Sequence, residues 1–239
     1  MTLGSRRPRT AGSKRKEIEQ LYSHQFKTPA HARYFSIVEG KKLLMECKVR
    51  LITASAPQFG REITNRGWLN LTTYPASANP AIVKEFYTNA RALGGEPETY
   101  SSYLRGRRIP FDANTINTFL GTDWEGGRCQ YEQTIIEGVD YEDVVRTLCL
   151  PRERFELSRV GVPTHLKRSF LIPMARYWMT FTQANILPCL HVSDITSLGA
   201  TFLFCVMSGR GVNIGSVIAD EIRSCTRNLH TRTPLGHPS

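Results

Sequence analysis

The sequence predicts a mainly α fold, a helical bundle carrying a small β-ribbon, and three observations carry that expectation. Apolar residues recur at helical spacing through the last third of the chain. Two helix starts are signed by Asn79-Pro80 and by Asp112. One short stretch, Tyr100 to Phe111, alternates as two paired strands do, with Arg105-Gly106-Arg107 at the turn.

Taken in order, Met1 to Thr28 lacks hydrophobic periodicity, is rich in Arg, Lys, Ser and Thr, and reads as a disordered basic tail. Tyr34 to Ile52 reads as helical pieces interrupted at Gly40 and ending extended, and Ala54 to Phe59 as a linker. Trp68 and Leu69 read as core anchors. A helix starting at Pro80 carries Val83, Phe86, Tyr87 and Ala90 on its apolar face, with Gly94-Gly95 as its stop. After the ribbon, Asp112 caps a short helix expected to bury Ile116, Phe119 and Leu120 and to end at Gly121. Asp123 to Glu137 reads as a loop, and Asp140 to Leu150 as a helix closed by Pro151.

Pro173 breaks any helix within His165 to Gln183, and after it Met174, Tyr177, Trp178 and Phe181 form a stripe. Asp194 or Ser193 is the expected cap of the next helix, with Ile195, Leu198, Phe202 and Cys205 on one face. A last helix carries Ile214, Val217, Ile218, Ile222 and Cys225. Three successive amphipathic helices with short connections point to an antiparallel bundle. The expected organisation is a basic tail over 1–30, a partly helical lead-in over 31–60, a folded body over 61–227 and a frayed end over 228–239.

The chain has 239 residues, and its 41% hydrophobic and 22% charged residues are globular values, enough to bury one core. The net charge of +10 is concentrated at one end. Residues 1–60 hold 12 Lys and Arg against 4 Asp and Glu, whereas the remainder holds 19 against 17. Within the tail, Arg6, Arg7, Arg9 and the triplet Lys14-Arg15-Lys16 precede the first acid. Such a run serves as a nuclear import signal or a nucleic-acid-binding arm, or is a solvated tail. No basic n-region followed by an apolar run opens the chain, and no stretch is long enough to span a membrane, Leu198 to Met207 being the longest apolar-leaning one. Six cysteines without a CxxC pair read as reduced thiols of an intracellular protein.

The motifs that carry chemistry are few. Arg105, Arg107 and Arg108 at the ribbon turn are the best candidates for phosphate contact, since planar guanidinium donors match phosphate oxygens. The competing reading is a solvated turn whose charges protect a strand edge. Asp123, Asp194 and Glu221 can be forced into a spread-out metal triad of the nuclease kind, but the local reading of each argues otherwise. Cys189 and His191 form a lone Cys-x-His without a second ligand pair, so no metal and no cofactor is expected. Gly209 to Ser216 matches no nucleotide-loop pattern and reads as a helix–helix turn, with Asn213 and Gly215 at a helix start as a second, anion-attracting reading.

Several phrases, in order, resemble one family. They are RGWLNL at Arg66 to Leu71, VKEFYTNA at Val83 to Ala90, YLRGRRIPFDANTINTFLG at Tyr103 to Gly121, FLIPMARYWMTFTQANILPCLHVSDIT at Phe170 to Thr196, and GVNIGSVIADEI at Gly211 to Ile222. The resemblance is to a plant transposon protein domain catalogued under a transposase-like name, and it runs from about Arg61 to Cys225. It implies an origin in plant mobile elements and brings no catalytic residue or cofactor with it. The expected role is a non-enzymatic module binding nucleic acid through Lys14, Arg15, Lys16, Arg105, Arg107 and Arg108, or binding protein, self-association included. The alternatives are a metal-dependent nuclease or strand-transferase, or a remnant without selected function.

Overall fold

The computed structural model describes residues 25–41, 56–73, 78–122, 124–125, 127–188 and 192–227. Helix α1 (Pro29–Glu39) opens the described body, and Thr28 Oγ1 caps it by accepting the His31 amide. Its inward face is His31, Tyr34 and Val38, and Phe26 just ahead of it is also in the core. Phe26 belongs to the stretch that composition assigned to the tail, yet it is a core residue. Helix α2 (Pro57–Asn65) starts where a linker was expected: Ala56 and Phe59 are core residues. A 3-10 turn over Leu69–Thr72 follows, with Trp68 and Leu71 buried and Leu69 facing solvent.

Helix α3 (Pro80–Ala90) has the expected Asn79 cap, whose side chain accepts the Ala81 amide. It ends at Arg91, ahead of the diglycine. Strands β1 (Ser101–Leu104) and β2 (Arg107–Pro110) form the two-stranded ribbon. Asp112 then caps α4 (Ala113–Leu120), and Gly121 ends it in the left-handed region at φ 63°. The buried side of α4 is Asn117 and Leu120. Phe119, expected in the core, stands 72% exposed.

Residues 130–137, read from composition as loop, form α5 (Gln130–Glu137). No side chain caps it. Tertiary bonds hold its start: the Gln130 amide donates to the Gly211 carbonyl, and Gln130 Oε1 accepts the Gly211 amide. Helix α6 (Tyr141–Leu148) follows, capped by Asp140. A three-stranded antiparallel sheet comes next, in the order β3 (Glu156–Leu157), β4 (Pro163–Lys167), β5 (Asp194–Thr196). None of it was legible, because strands of two, five and three residues are too short to show a period-two alternation that stands out. Asp194 is therefore a strand residue opposite Lys167 and not a cap. Thr196 caps the following helix by accepting the Gly199 amide.

Pro173 opens α7 (Pro173–Asn185) at its first turn, where a missing N–H costs nothing. Helix α8 (Ser197–Met207) is buried over every residue from Gly199 to Val206, so it is a central helix and not an amphipathic one. It packs on α5, α6, α7 and the sheet. Helix α9 (Ile214–Arg227) is amphipathic but packs chiefly on α4, with α3 beside it. The three C-terminal helices therefore do not make a bundle among themselves.

The aromatic core joins the halves of the chain: the Trp178 ring lies edge-on to Phe59, Phe181 and Trp68, and Trp68 stacks on Phe202. Arg66 seals the end of α8, donating to the carbonyls of Val206 and Arg210 where the helix dipole is negative. Cys129, Cys149 and Cys205 are buried free thiols, and Cys225 is half-buried. Among the described residues no helix is long and apolar enough to cross a membrane.

Candidate nucleic-acid interface

The ribbon is built by α3. Ser102 is buried on it and donates to the Phe86 carbonyl at 2.6 Å, which turns the face of Ser102 and Ile109 inward. Tyr103 pairs with Arg108 in the register, so these two share the other face. Arg105 and Gly106 fill a two-residue turn with φ of 49° and 82°. Both positive angles suit a turn that follows the right-handed strand twist, at some cost for a residue with a side chain.

Glu85 repays that cost. It is fully buried on α3, and its Oε1 accepts the Arg105 amide at 2.9 Å. Its Oε2 lies 3.2 Å from Arg105 Nε, an ion-pair contact without hydrogen-bond alignment. Arg105 is thereby tied to the scaffold. Arg107 and Arg108 are exposed and make no ion pair or hydrogen bond through their side chains among the described residues. Of the three arginines, two are unengaged and one holds the turn.

Asn89 stands one helical turn after Glu85 and is also buried. Its Nδ2 donates to two carbonyls, Tyr103 on β1 and Gln25, each at 2.8 Å, and its Oδ1 accepts the Lys27 amide at 2.9 Å. One amide therefore fastens both the ribbon and the first described residues of the chain. Lys27 is secured further by an ion pair with Glu96. His31 closes the arrangement from below. Its Nε2 donates to the Arg91 carbonyl at 2.9 Å and its Nδ1 accepts the Thr28 hydroxyl at 2.7 Å, the tautomer of a neutral ring. Burial lowers its pKa, against the carbonyl hydrogen bond and the charge of Glu96.

Lys14, Arg15 and Lys16 lie outside the described residues, as do Asp123, Cys189 and His191. Lys14, Arg15 and Lys16 belong to the 24 residues ahead of Gln25, and the Gln25 carbonyl shares the Asn89 amide with the ribbon. Sequence reading gave no link between Gln25 and the ribbon. It also passed over Tyr103, Glu85 and Asn89. Tyr103 was visible as an aromatic within the ribbon, whereas a Glu and an Asn on a helix give no sign of which carbonyl or amide they will meet.

The other candidates come apart. Asp194 pairs across the small sheet and Glu221 sits on α9. Among the described residues no group of three His, Cys, Asp or Glu is placed to hold a metal ion. At the start of α9, Asn213 Oδ1 accepts the Ser216 amide and Asn117 Oδ1 accepts the Gly215 amide, so both donors are spent within the protein. That loop is a helix–helix turn, as expected, and its geometry leaves those two donors nothing to offer an anion.

Residues 64–239 match the family described as "Putative plant retrotransposon-related domain". The chain belongs to that family. The match covers every phrase on which the resemblance rested and gives this retrotransposon-related domain a mobile-element origin. No curated protein and no solved structure matches the chain.

Proposed function

We propose that this retrotransposon-related chain is a non-enzymatic nucleic-acid-binding module. Arg107 and Arg108 contact backbone phosphates, Tyr103 offers a ring beside Arg108, and Lys14-Arg15-Lys16 extends the same basic surface. One observation carries the reading: the Asn89 amide that fastens the ribbon also fastens Gln25, where the basic segment joins the body. Phosphate contact is sequence-independent and releases counterions, so binding weakens linearly in log affinity against log salt. An aromatic ring on the same ribbon face as the Arg108 guanidinium suits a single strand, whose bases stack without sequence preference.

The test is fluorescence anisotropy with a single-stranded and a duplex oligonucleotide from low to physiological salt. Arg107→Ala/Arg108→Ala should weaken binding and flatten the salt slope by about 0.7 per lost contact on single strands or about 0.9 on duplex. Tyr103→Leu should weaken single-strand binding while leaving the slope intact. Equal affinity and slope for wild type and the arginine variant would remove the ribbon from the interface. A protein partner is the second reading. It is favoured by Phe119 on α4 and Ile136 on α5, which is 84% exposed, both apolar and both turned to solvent. Light scattering of Phe119→Ser/Ile136→Ser against wild type decides whether they mediate self-association.

A further inference from the structure

A cleft of about 190 Å3 lies between α7, the β5–α8 junction and α9. Its walls are mainly apolar, with Leu187, Ile195 and Leu198 among them, and three polar side chains face it: Thr182, Gln183 and Glu221. Two of these have needs that the protein leaves unmet. Thr182 is 1% exposed, and its buried hydroxyl finds no hydrogen-bond partner among the described residues. Such a group costs stability wherever it stays unpaired. Glu221 makes no ion pair among the described residues, and its carboxylate accepts only the weak Cys225 thiol at 3.5 Å. Gln183 is fixed by donating to the Asp194 carbonyl.

We infer that this cleft binds a primary ammonium group on a short alkyl stem. The carboxylate pairs with the charge, the Thr182 hydroxyl accepts a second N–H, and Leu187, Ile195 and Leu198 take the stem. The occupant is a cation because the acid in the cleft has no cation of its own. It is small because the space equals the share of about six water molecules. Burial also raises the Glu221 carboxyl above its ordinary value, as expected of an acid held from water without a counter-charge. The same chemistry is offered by a free alkylamine and by a lysine side chain of a polypeptide. This site is independent of the nucleic-acid reading.

The experiment is an NMR titration of the full chain, 15N-labelled, with n-butylammonium, n-butanol and doubly capped lysine, following the amides of residues 182–188, 192–199 and 221. n-Butylammonium should saturate, and n-butanol, which has the stem without the charge, should bind at least tenfold more weakly. Glu221→Gln should lose at least tenfold in ammonium affinity, since a charge-assisted bond is replaced by a neutral one. Thr182→Val is the second handle. It removes an unpaired buried hydroxyl, so its melting temperature should rise by about 2–4 °C while ammonium binding weakens. A merely structural threonine would not show that opposition. Tighter binding of capped lysine than of n-butylammonium assigns the cleft to a partner's lysine, and the reverse assigns it to a free amine. The inference is overturned by the absence of saturable shifts with both ammonium probes, by equal binding of n-butanol, or by undiminished binding to Glu221→Gln.

Discussion

Glu85 and Asn89 occupy successive turns of one face of α3, and between them they set the position of the ribbon. Their demands differ from those of the arginines they serve. Arg105 contributes to stability: without its guanidinium the buried Glu85 carboxylate keeps only the turn amide. Because the Arg105 side chain is itself 63% exposed, the loss in Arg105→Ala should be about 1–2 kcal/mol by urea unfolding, below that for a fully buried pair. Arg107→Ala, with no partner to abandon, should stay within about 0.5 kcal/mol of wild type. Stability and binding are thus expected to separate over three neighbouring arginines. His31 adds a pH dependence of known sign. Its folded pKa is lowered from 6.5, chiefly by burial, so the unfolded ring takes up a proton first as the pH falls. The stability it contributes is whole above pH 6.5 and is lost progressively below it. Melting temperatures measured from pH 7.5 to 5.5 should fall for wild type and fall less for His31→Gln. None of these three roles was legible in the sequence, for one reason: a buried Glu, Asn or His acquires its role from backbone groups 14 to 64 residues away.

At the scale of elements, α4 and α9 approach closely at Gly215. A Cβ at Gly215 would meet the Ala113 carbonyl at 2.3 Å and the Asn117 side chain at 2.6 Å. Gly215→Ala should therefore force the two helices apart, costing about 3 kcal/mol or more in chemical denaturation. Gly211, whose nearest neighbour would be the edge of the Trp124 ring at 3.4 Å, should tolerate alanine far better. Local signals explain which elements were legible. Asn79, Asp112 and Asp140 cap their helices as their residue type and position suggest, and Gly121 ends α4. Helix α5 and the three-stranded sheet are held by distant partners, the Gly211 segment in one case and strand neighbours up to 31 residues off in the other. The misplacement of Phe119 has the same origin. Helical spacing offered it to the core, but α4 turns Asn117 inward to cap α9, and Phe119 is left outside.

For the whole molecule, the division of charge gains a spatial meaning. The excess of positive charge lies ahead of residue 61, and residues 1–24, which hold part of it, lead into Gln25, whose carbonyl shares the Asn89 amide with the ribbon. The family match gives the molecule its mobile-element origin, and the activity that origin leaves open is the subject of the proposed nucleic-acid contact at the ribbon. If tail and ribbon grip one nucleic acid together, each lost element weakens the same complex, and the losses add in free energy. If they were separate sites, the tighter one alone would set the observed affinity. The decisive measurement is the affinity of four full-length proteins for one single-stranded oligonucleotide at fixed salt: wild type, Lys14→Ala/Arg15→Ala/Lys16→Ala, Arg107→Ala/Arg108→Ala, and all five substitutions combined. A joint surface predicts that both partial variants weaken binding and that the combined variant loses the product of the two factors. Full affinity in either partial variant would contradict it.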